Sequence, residues 1–236
     1  MMTPERLARA LTEALGDRVK TVVLFGSAAA GDHAGRWSDY NVLAVIEPLG
    51  IPELTVLARA MRGWVRAGNP PPLLFTPREL SGSGDAFPME LTDLKASYRV
   101  LAGEDLIQGL RVPVEHLRAE LEHELRGKLL QLRQQYCLAG GDRRQLTRLL
   151  IRSLSTFLVL GRGVLRLLWQ GEVPVNKLEA ARALAGHLSL RADIFETIDR
   201  LKRGRSVPRG LDVEQLFTDY LQTIESIVRA LDQGAP

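Results

Sequence analysis

Two short segments near the start of the chain carry residues that suit phosphate and metal chemistry. In the first, an apolar run ends at Gly26 and Ser27, and Gly31 follows. A glycine lets the backbone approach a phosphate closely, and a serine hydroxyl can donate a hydrogen bond to it. In the second, Asp39 and Asn41 precede another apolar run. Side chains at i and i+2 of a strand point to the same face, so these two can share one ligand.

The ligand that such a pair favours is a hard divalent cation. Mg²⁺ prefers oxygen ligands and is typically held by one or two carboxylates together with substrate phosphates. Asp39 supplies one carboxylate, whereas Asn41 is neutral and ligates a cation only weakly through its amide oxygen. The pattern therefore predicts a phosphate and metal site with one negative charge fewer than usual. The alternative is that Gly26 and Ser27 only form a tight turn between a strand and a helix.

The order of these residues resembles the signature of the nucleotidyltransferase superfamily, of the antibiotic or minimal type with a polymerase-β-like fold. The resemblance implies transfer of a nucleoside monophosphate from an NTP, with ATP as the first candidate, to an acceptor, with Mg²⁺ as cofactor. It implies that Gly26, Ser27 and Gly31 bind the nucleotide. It also implies that Asp39 and Asn41 form the catalytic metal site.

Two positions depart from the signature. Asn41 stands where the superfamily has Asp or Glu, and Ala30 stands where many relatives have Arg. Arg36, in the same loop, is our candidate for supplying that positive charge to the nucleotide. The departures leave a second function open, in which a catalytically degenerate protein (a pseudoenzyme) of this fold acts as a nucleotide sensor or partner-binding module.

The superfamily takes a third carboxylate from a later strand. We interpret residues 88–94 as a strand edge and expect Glu90 to be this catalytic and metal-binding carboxylate. Asp93 is the second candidate. A surface position for Glu90 is the alternative.

Hydrophobic patterns predict two domains. Residues 1–112 are expected to form an α/β (α+β) nucleotidyltransferase-like domain with a short mixed sheet, and 113–236 an all-α helical bundle that serves as a substrate-binding domain. The predicted strands are 19–25, 42–46, 73–76 and 98–101, and the predicted helices of the first domain are 3–15 and 52–67. Leucines at helical spacing and capping residues predict five bundle helices, beginning near residues 114, 143, 177, 190 and 213.

The first bundle helix carries Glu124 and Lys128 one turn apart. In kanamycin-type nucleotidyltransferases a glutamate base and a phosphate-binding lysine have this spacing on the corresponding helix. The resemblance therefore implies that Glu124 accepts the proton of an acceptor hydroxyl and that Lys128 binds phosphate. A solvated i, i+4 salt bridge is the alternative.

Two further patterns in the bundle have competing interpretations. Arg148 and Arg152 lie one turn apart on a basic helix and suit a cleft for a triphosphate or RNA. An exposed helix face, or pairing with acids of the first bundle helix, is the usual explanation for such arginines. The stretch from Arg182 to His187 loosely matches the pattern of HEPN ribonucleases. It gives a third hypothesis, in which the bundle binds or cleaves RNA.

Composition limits the function classes. The single cysteine, Cys137, cannot form an intramolecular disulfide, and the net charge of +3 is mild. No apolar run approaches membrane-spanning length, so we expect a cytoplasmic protein with no membrane partner. We do not expect nucleic acid as a partner. Because relatives share clefts between subunits, a homodimer is plausible, and the acceptor, a small molecule or a protein, is not specified.

Overall fold

The computed structural model describes residues 2–29, 40–204 and 210–233, with only the backbone of Ser27. The chain divides into two compact units, Met1–His116 and Leu117–Pro236. The first unit combines helices with a sheet, and the second is helical.

The first unit is built on a four-stranded mixed sheet, as predicted. Its elements are α1 (Pro4–Leu15), β1 (Val19–Phe25), a 3-10 helix (Gly26–Ala28), β2 (Asn41–Ile46), α2 (Ile51–Ala60), α3 (Arg62–Arg66), β3 (Leu73–Phe75), α4 (Pro77–Gly82), α5 (Pro88–Ala96) and β4 (Tyr98–Gly103). The strand order is β3-β2-β1-β4. β1 runs antiparallel to β2 and β4, whereas β3 runs parallel to β2.

Both faces of the central strands are buried, which explains their continuous apolar sequences. One face packs on α1, α2 and α3, and its strand residues are Val22, Leu24, Val42, Ala44 and Ile46. The other packs on α4 and α5, and its strand residues are Val23, Leu43 and Val45. The alternation along β2 decides which of its side chains reach each layer.

The prediction of a strand over residues 88–94 is wrong, because this segment is the helix α5. Pro88 is its first residue, and Pro88, Leu91 and Leu94 are buried at helical spacing. Proline is favoured at the first helical position, and no β-branched run is present to favour a strand. Glu90 therefore lies on a helix and is exposed.

The helix predicted over residues 52–67 is divided at Met61 into α2 and α3. The second part carries Trp64, which is fully buried and donates a hydrogen bond from its indole N–H to the carbonyl oxygen of Pro70 at 2.6 Å.

Glu53 fixes the start of α2. Its Oε2 accepts a hydrogen bond from the Gly50 N–H at 3.0 Å, and its Oε1 lies 2.9 Å from Nη1 of Arg18. The residue is only 6% exposed. The hydrogen bond from Gly50 and the pairing with Arg18 hold the pKa of Glu53 below its ordinary value.

We expect Glu53→Gln to lower the urea midpoint at pH 7. A carboxyl group whose pKa is depressed by folding stabilises the native state above its unfolded pKa, near 4.5. This contribution is lost as the pH falls through the lower folded-state value, so the two proteins should converge in acid. Urea titrations between pH 3 and pH 7 measure the gap. Glu13→Gln, at an exposed position on α1, is the control and should follow the unchanged protein throughout.

The second unit contains the five predicted helices. They are α6 (Val114–Ala139), which begins just before the boundary, α7 (Arg143–Leu168), α8 (Lys177–His187), α9 (Asp193–Lys202) and α10 (Val213–Gln233). α7 packs against α8, α9 and α10. At the centre, the buried ring of Tyr220 meets Phe157 and Phe195 edge to face, at 5.9 and 6.0 Å between centroids. In the described ranges, no helix is long and apolar enough to cross a membrane.

Candidate functional site

A glycine turn at the end of β1 forms the base of the candidate site. Gly26 has a φ of +76°, a conformation that glycine adopts without the steric cost of a side chain. Its N–H donates to the carbonyl oxygen of Ser97 at 3.0 Å, and the Ser97 hydroxyl donates to the Gly26 carbonyl oxygen at 3.3 Å. The start of β4 therefore holds this turn from both sides.

Asn41 lies beside this turn. It is the first residue of β2 and pairs with Phe25, the last residue of β1. Tyr40 packs on Trp64 at 5.8 Å between ring centroids, in the α1–α3 layer, so the alternation of the strand turns Asn41 toward the opposite layer. Its Nδ2 atom lies 3.3 Å from the position that a Cβ on Gly26 would take. The structure thus places Asn41 next to Gly26, as the sequence motif predicts for two residues of one site.

Asn41 is exposed, and within the described residues its amide has no hydrogen-bond partner. An oxygen donor in this position fits a hard cation such as Mg²⁺, although a neutral amide binds it more weakly than a carboxylate does. The Gly26 N–H already donates a hydrogen bond to the carbonyl oxygen of Ser97, so it is not available to a phosphate. What this glycine offers a ligand is the space that a side chain would otherwise fill.

The helix α5 lies against the glycine turn and carries both candidates for the third carboxylate. Asp93 is half-buried and lies one turn before Ser97, whereas Glu90 is exposed and nearly a turn farther away. The later strands β3 and β4 contain no Asp or Glu. The described strands therefore supply no third carboxylate. The helix α5, which contacts the glycine turn, carries the two candidates for it.

Several predicted residues fall outside the described ranges. These are Gly31, Arg36 and Asp39, together with the side chain of Ser27. Among the residues that the structure describes, no three His, Cys, Asp or Glu side chains come together as a metal-binding group.

Sequence reasoning did not single out Asp105, a carboxylate that contacts the first residue of β4. Tyr98 pairs with Phe25, and its hydroxyl donates to Oδ2 of Asp105 at 2.9 Å. Oδ1 of Asp105 accepts from the N–H groups of Ile107 and Gln108 at 3.0 and 3.1 Å. Burial raises the pKa of Asp105, but these hydrogen bonds outweigh it and hold the pKa below its ordinary value. Asp105 therefore stabilises a turn by accepting hydrogen bonds from the N–H groups two and three residues later. An aspartate at the start of a predicted turn is the sequence signal for this role.

In the second unit, Glu124 and Lys128 lie side by side on α6. Their Oε2 and Nζ atoms are 3.9 Å apart, and the side chains are 40% and 37% exposed. This geometry is that of an i, i+4 ion pair on a helix surface.

The HEPN-like pair is engaged within the fold. Arg182 donates from Nε to Glu196 at 2.6 Å, and the ring of His187 meets Trp169 edge to face at 5.5 Å.

Comparison with known proteins defines the fold. No protein-family model and no curated protein matches this chain. Among solved structures, the chain is similar to the crystal structure of spectinomycin adenyltransferase AAD(9) from Enterococcus faecialis with ATP and spectinomycin. The identity is 16%, the TM-score is 0.58, and the match covers 94% of this chain and 96% of that chain. The chain has a nucleotidyltransferase fold. Its α/β unit with a mixed sheet and its helical bundle confirm the predicted fold class.

Proposed function

We propose that this protein transfers a nucleoside monophosphate from an NTP, with ATP as the first candidate, to a hydroxyl group of a small molecule or protein. The hydroxyl oxygen attacks the α-phosphorus while a base accepts its proton, the bond to the β-phosphate breaks, and pyrophosphate leaves. Gly26 and Ser27 would receive the triphosphate, and Asp39 and Asn41 would hold Mg²⁺. The metal ion, when bound, neutralises charge on the phosphates.

The observation that carries this proposal is the position of Asn41 over the Gly26 turn. An exposed strand residue whose amide has no hydrogen-bond partner among the described residues, beside a glycine that leaves room for a phosphate, supports this assignment. The likeness to a solved adenyltransferase with ATP supports the same assignment. On α5, Asp93 is a better third carboxylate than Glu90, because it is half-buried and closer to Ser97. Glu124 and Lys128 remain candidates for the base and a phosphate ligand.

Asn41 also favours a second candidate function. A neutral residue beside the turn lowers the affinity for Mg²⁺, and charge neutralisation is the main contribution to phosphoryl transfer. A protein with this fold and a weakened metal site could bind nucleotide as a sensor, or a protein partner, without turnover.

Thermal unfolding with each NTP, with and without Mg²⁺, separates the two functions through the Mg²⁺ dependence of binding: the transferase should need Mg²⁺ for its rise in Tm, whereas the sensor should not. A ligand at about 100 times its Kd stabilises the native state by about 2.7 kcal/mol, which raises Tm by several degrees. We expect ATP with Mg²⁺ to raise the Tm of the unchanged protein. We expect Asn41→Asp to tighten the Mg²⁺-dependent binding roughly tenfold, because it adds a carboxylate to the cation site.

The control is Gln170→Glu, which makes the same change in net charge at an exposed position in the second unit. Stabilisation that appears only in Asn41→Asp would favour the degenerate protein. No stabilisation of either protein by any NTP would contradict nucleotide binding altogether.

A further inference from the structure

The second unit contains a groove of which the proposed function uses one residue, Lys128. It lies between the parts of α6 and α7 that adjoin their connecting turn and has a volume of about 520 Å³. Lys128, Arg148 and Arg152 line it together with Gln131, Gln135 and Thr156, and no acidic residue does. The groove is therefore positively charged.

The two arginines of this groove differ from several others in the bundle that are ion-paired. Arg148 and Arg152 are exposed, and within the described residues neither has a carboxylate in ion-pair distance. Four other guanidinium groups of the bundle have acidic partners: Arg126 with Asp232 at 2.7 Å, Arg133 with Glu225 at 2.8 Å, Arg182 with Glu196 at 2.6 Å and Arg203 with Asp199 at 2.7 Å. Arg143 donates instead to the carbonyl oxygen of Leu211 at 3.3 Å. Only Lys128 among the groove cations has a carboxylate nearby, Glu124 at 3.9 Å. Two of the three cations that line the groove are thus not neutralised by a carboxylate of the described residues.

Neutral polar groups accompany these cations. Thr156 is half-buried in α7, and in the described part of the chain its hydroxyl has no hydrogen-bond partner. Helical threonines elsewhere, such as Thr147 and Thr223, donate to the carbonyl oxygen four residues back, at 2.8 Å in both cases. The Thr156 hydroxyl is therefore available to a ligand in the groove.

We propose that this groove binds a small molecule that carries a phosphate or pyrophosphate group. Arg148 and Arg152 lie one helical turn apart on α7, a separation of about 6 Å that lets both contact one phosphorylated group. Lys128 adds a third positive charge from α6, and the hydroxyl and amides supply uncharged donors. The volume falls within the range of about 300 to 1,000 Å³ that is usual for small-molecule sites.

The shape of the surface favours a small ligand over RNA. Single-stranded RNA is held by exposed aromatic rings on which its bases stack. The aromatic ring of this groove is Phe157, which is only 4% exposed because it packs in the bundle core. The concave form and the three clustered cations match a compact anion.

Calorimetric titration with inorganic pyrophosphate tests the proposal at constant ionic strength and in the presence of EDTA. We expect one equivalent to bind to the full chain. Arg148→Gln and Arg152→Gln should each weaken the binding about tenfold, since each removes a charge-assisted hydrogen bond. Arg133→Gln is the matched control, because it removes the same charge from the side of α6 that contacts α10, and it should bind as the unchanged protein does.

Two further arms keep this site distinct from the proposed nucleotide site. Asp39→Ala should bind pyrophosphate normally under these conditions, even if NTP binding fails. Thermal unfolding of each variant checks that it folds, and both arginines are exposed, so little change in Tm is expected. The proposal is overturned if pyrophosphate does not bind, if neither arginine substitution weakens it, or if Asp39→Ala abolishes it. Tighter binding of a 20-nucleotide RNA, lost in the same two variants, would instead make the groove a nucleic-acid surface.

Discussion

Asp39→Asn should reduce Mg²⁺-dependent nucleotidyl transfer by roughly a thousandfold. The substitution keeps the size of the side chain but removes its charge, and Asn41 beside the glycine turn is already neutral. A metal ion contributes several kcal/mol to charge stabilisation in the transition state, and each 1.4 kcal/mol or so changes the rate about tenfold. The measurement is pyrophosphate release from ATP across a panel of hydroxyl acceptors. Binding of ATP with Mg²⁺, followed by Tm, gives a second readout that needs no acceptor.

The control for this substitution is Asp85→Asn. Asp85 is an exposed aspartate of the same unit, and within the described residues it makes no hydrogen bond or ion pair. It should leave both readouts unchanged. Transfer that survives in Asp39→Asn at the original rate would remove Asp39 from the metal site. If the unchanged protein shows no transfer but Asn41→Asp does, the degenerate function is the correct one.

The fold could be predicted well where one physical signal dominates. β1 and β2 are apolar and rich in β-branched residues because both faces of the sheet are covered. The five bundle helices follow from leucines at helical spacing. Residues 88–94 were predicted wrongly although Pro88, Leu91 and Leu94 recur at every third position, a spacing that fits a helix and not the alternation of a strand. Pro88 at the first helical position was the signal that would have decided for α5.

The candidate site was predictable only in part. Gly26 and Asn41 are close together because β1 and β2 pair in antiparallel orientation, with Phe25 opposite Asn41. Both residues belong to the motif that the sequence shows, so this proximity could be predicted. The contact of Ser97 with Gly26 joins positions that are 71 residues apart, and no local pattern indicates it. The same holds for the groove in the bundle. The sequence left open whether Arg148 and Arg152 pair with acids of α6, and only tertiary packing shows that they do not within the described residues.

Gly26→Ala should weaken NTP binding at least tenfold at a moderate cost in stability. Gly26 has a φ of +76°, where an alanine costs about 1–2 kcal/mol. Its new methyl group would lie 3.3 Å from Nδ2 of Asn41, a close contact that the exposed asparagine can relieve by moving. The methyl group and the displaced amide would then occupy the space where we expect a phosphate to approach. Titration of ATP with Mg²⁺ measures the loss of affinity, which should be at least tenfold.

Gly68→Ala separates the backbone effect from the loss of space. Gly68 has a similar φ of +88°, but nothing lies within 4 Å of the position of its Cβ. Both variants should therefore lose comparable stability in urea, because each places an L side chain in the same unfavourable conformation. ATP binding should fall only in Gly26→Ala. If both variants bind ATP as the unchanged protein does, the turn at Gly26 does not receive the triphosphate. If both lose it equally, the loss reflects instability of the first unit, and the open space over Gly26 has no special part in binding.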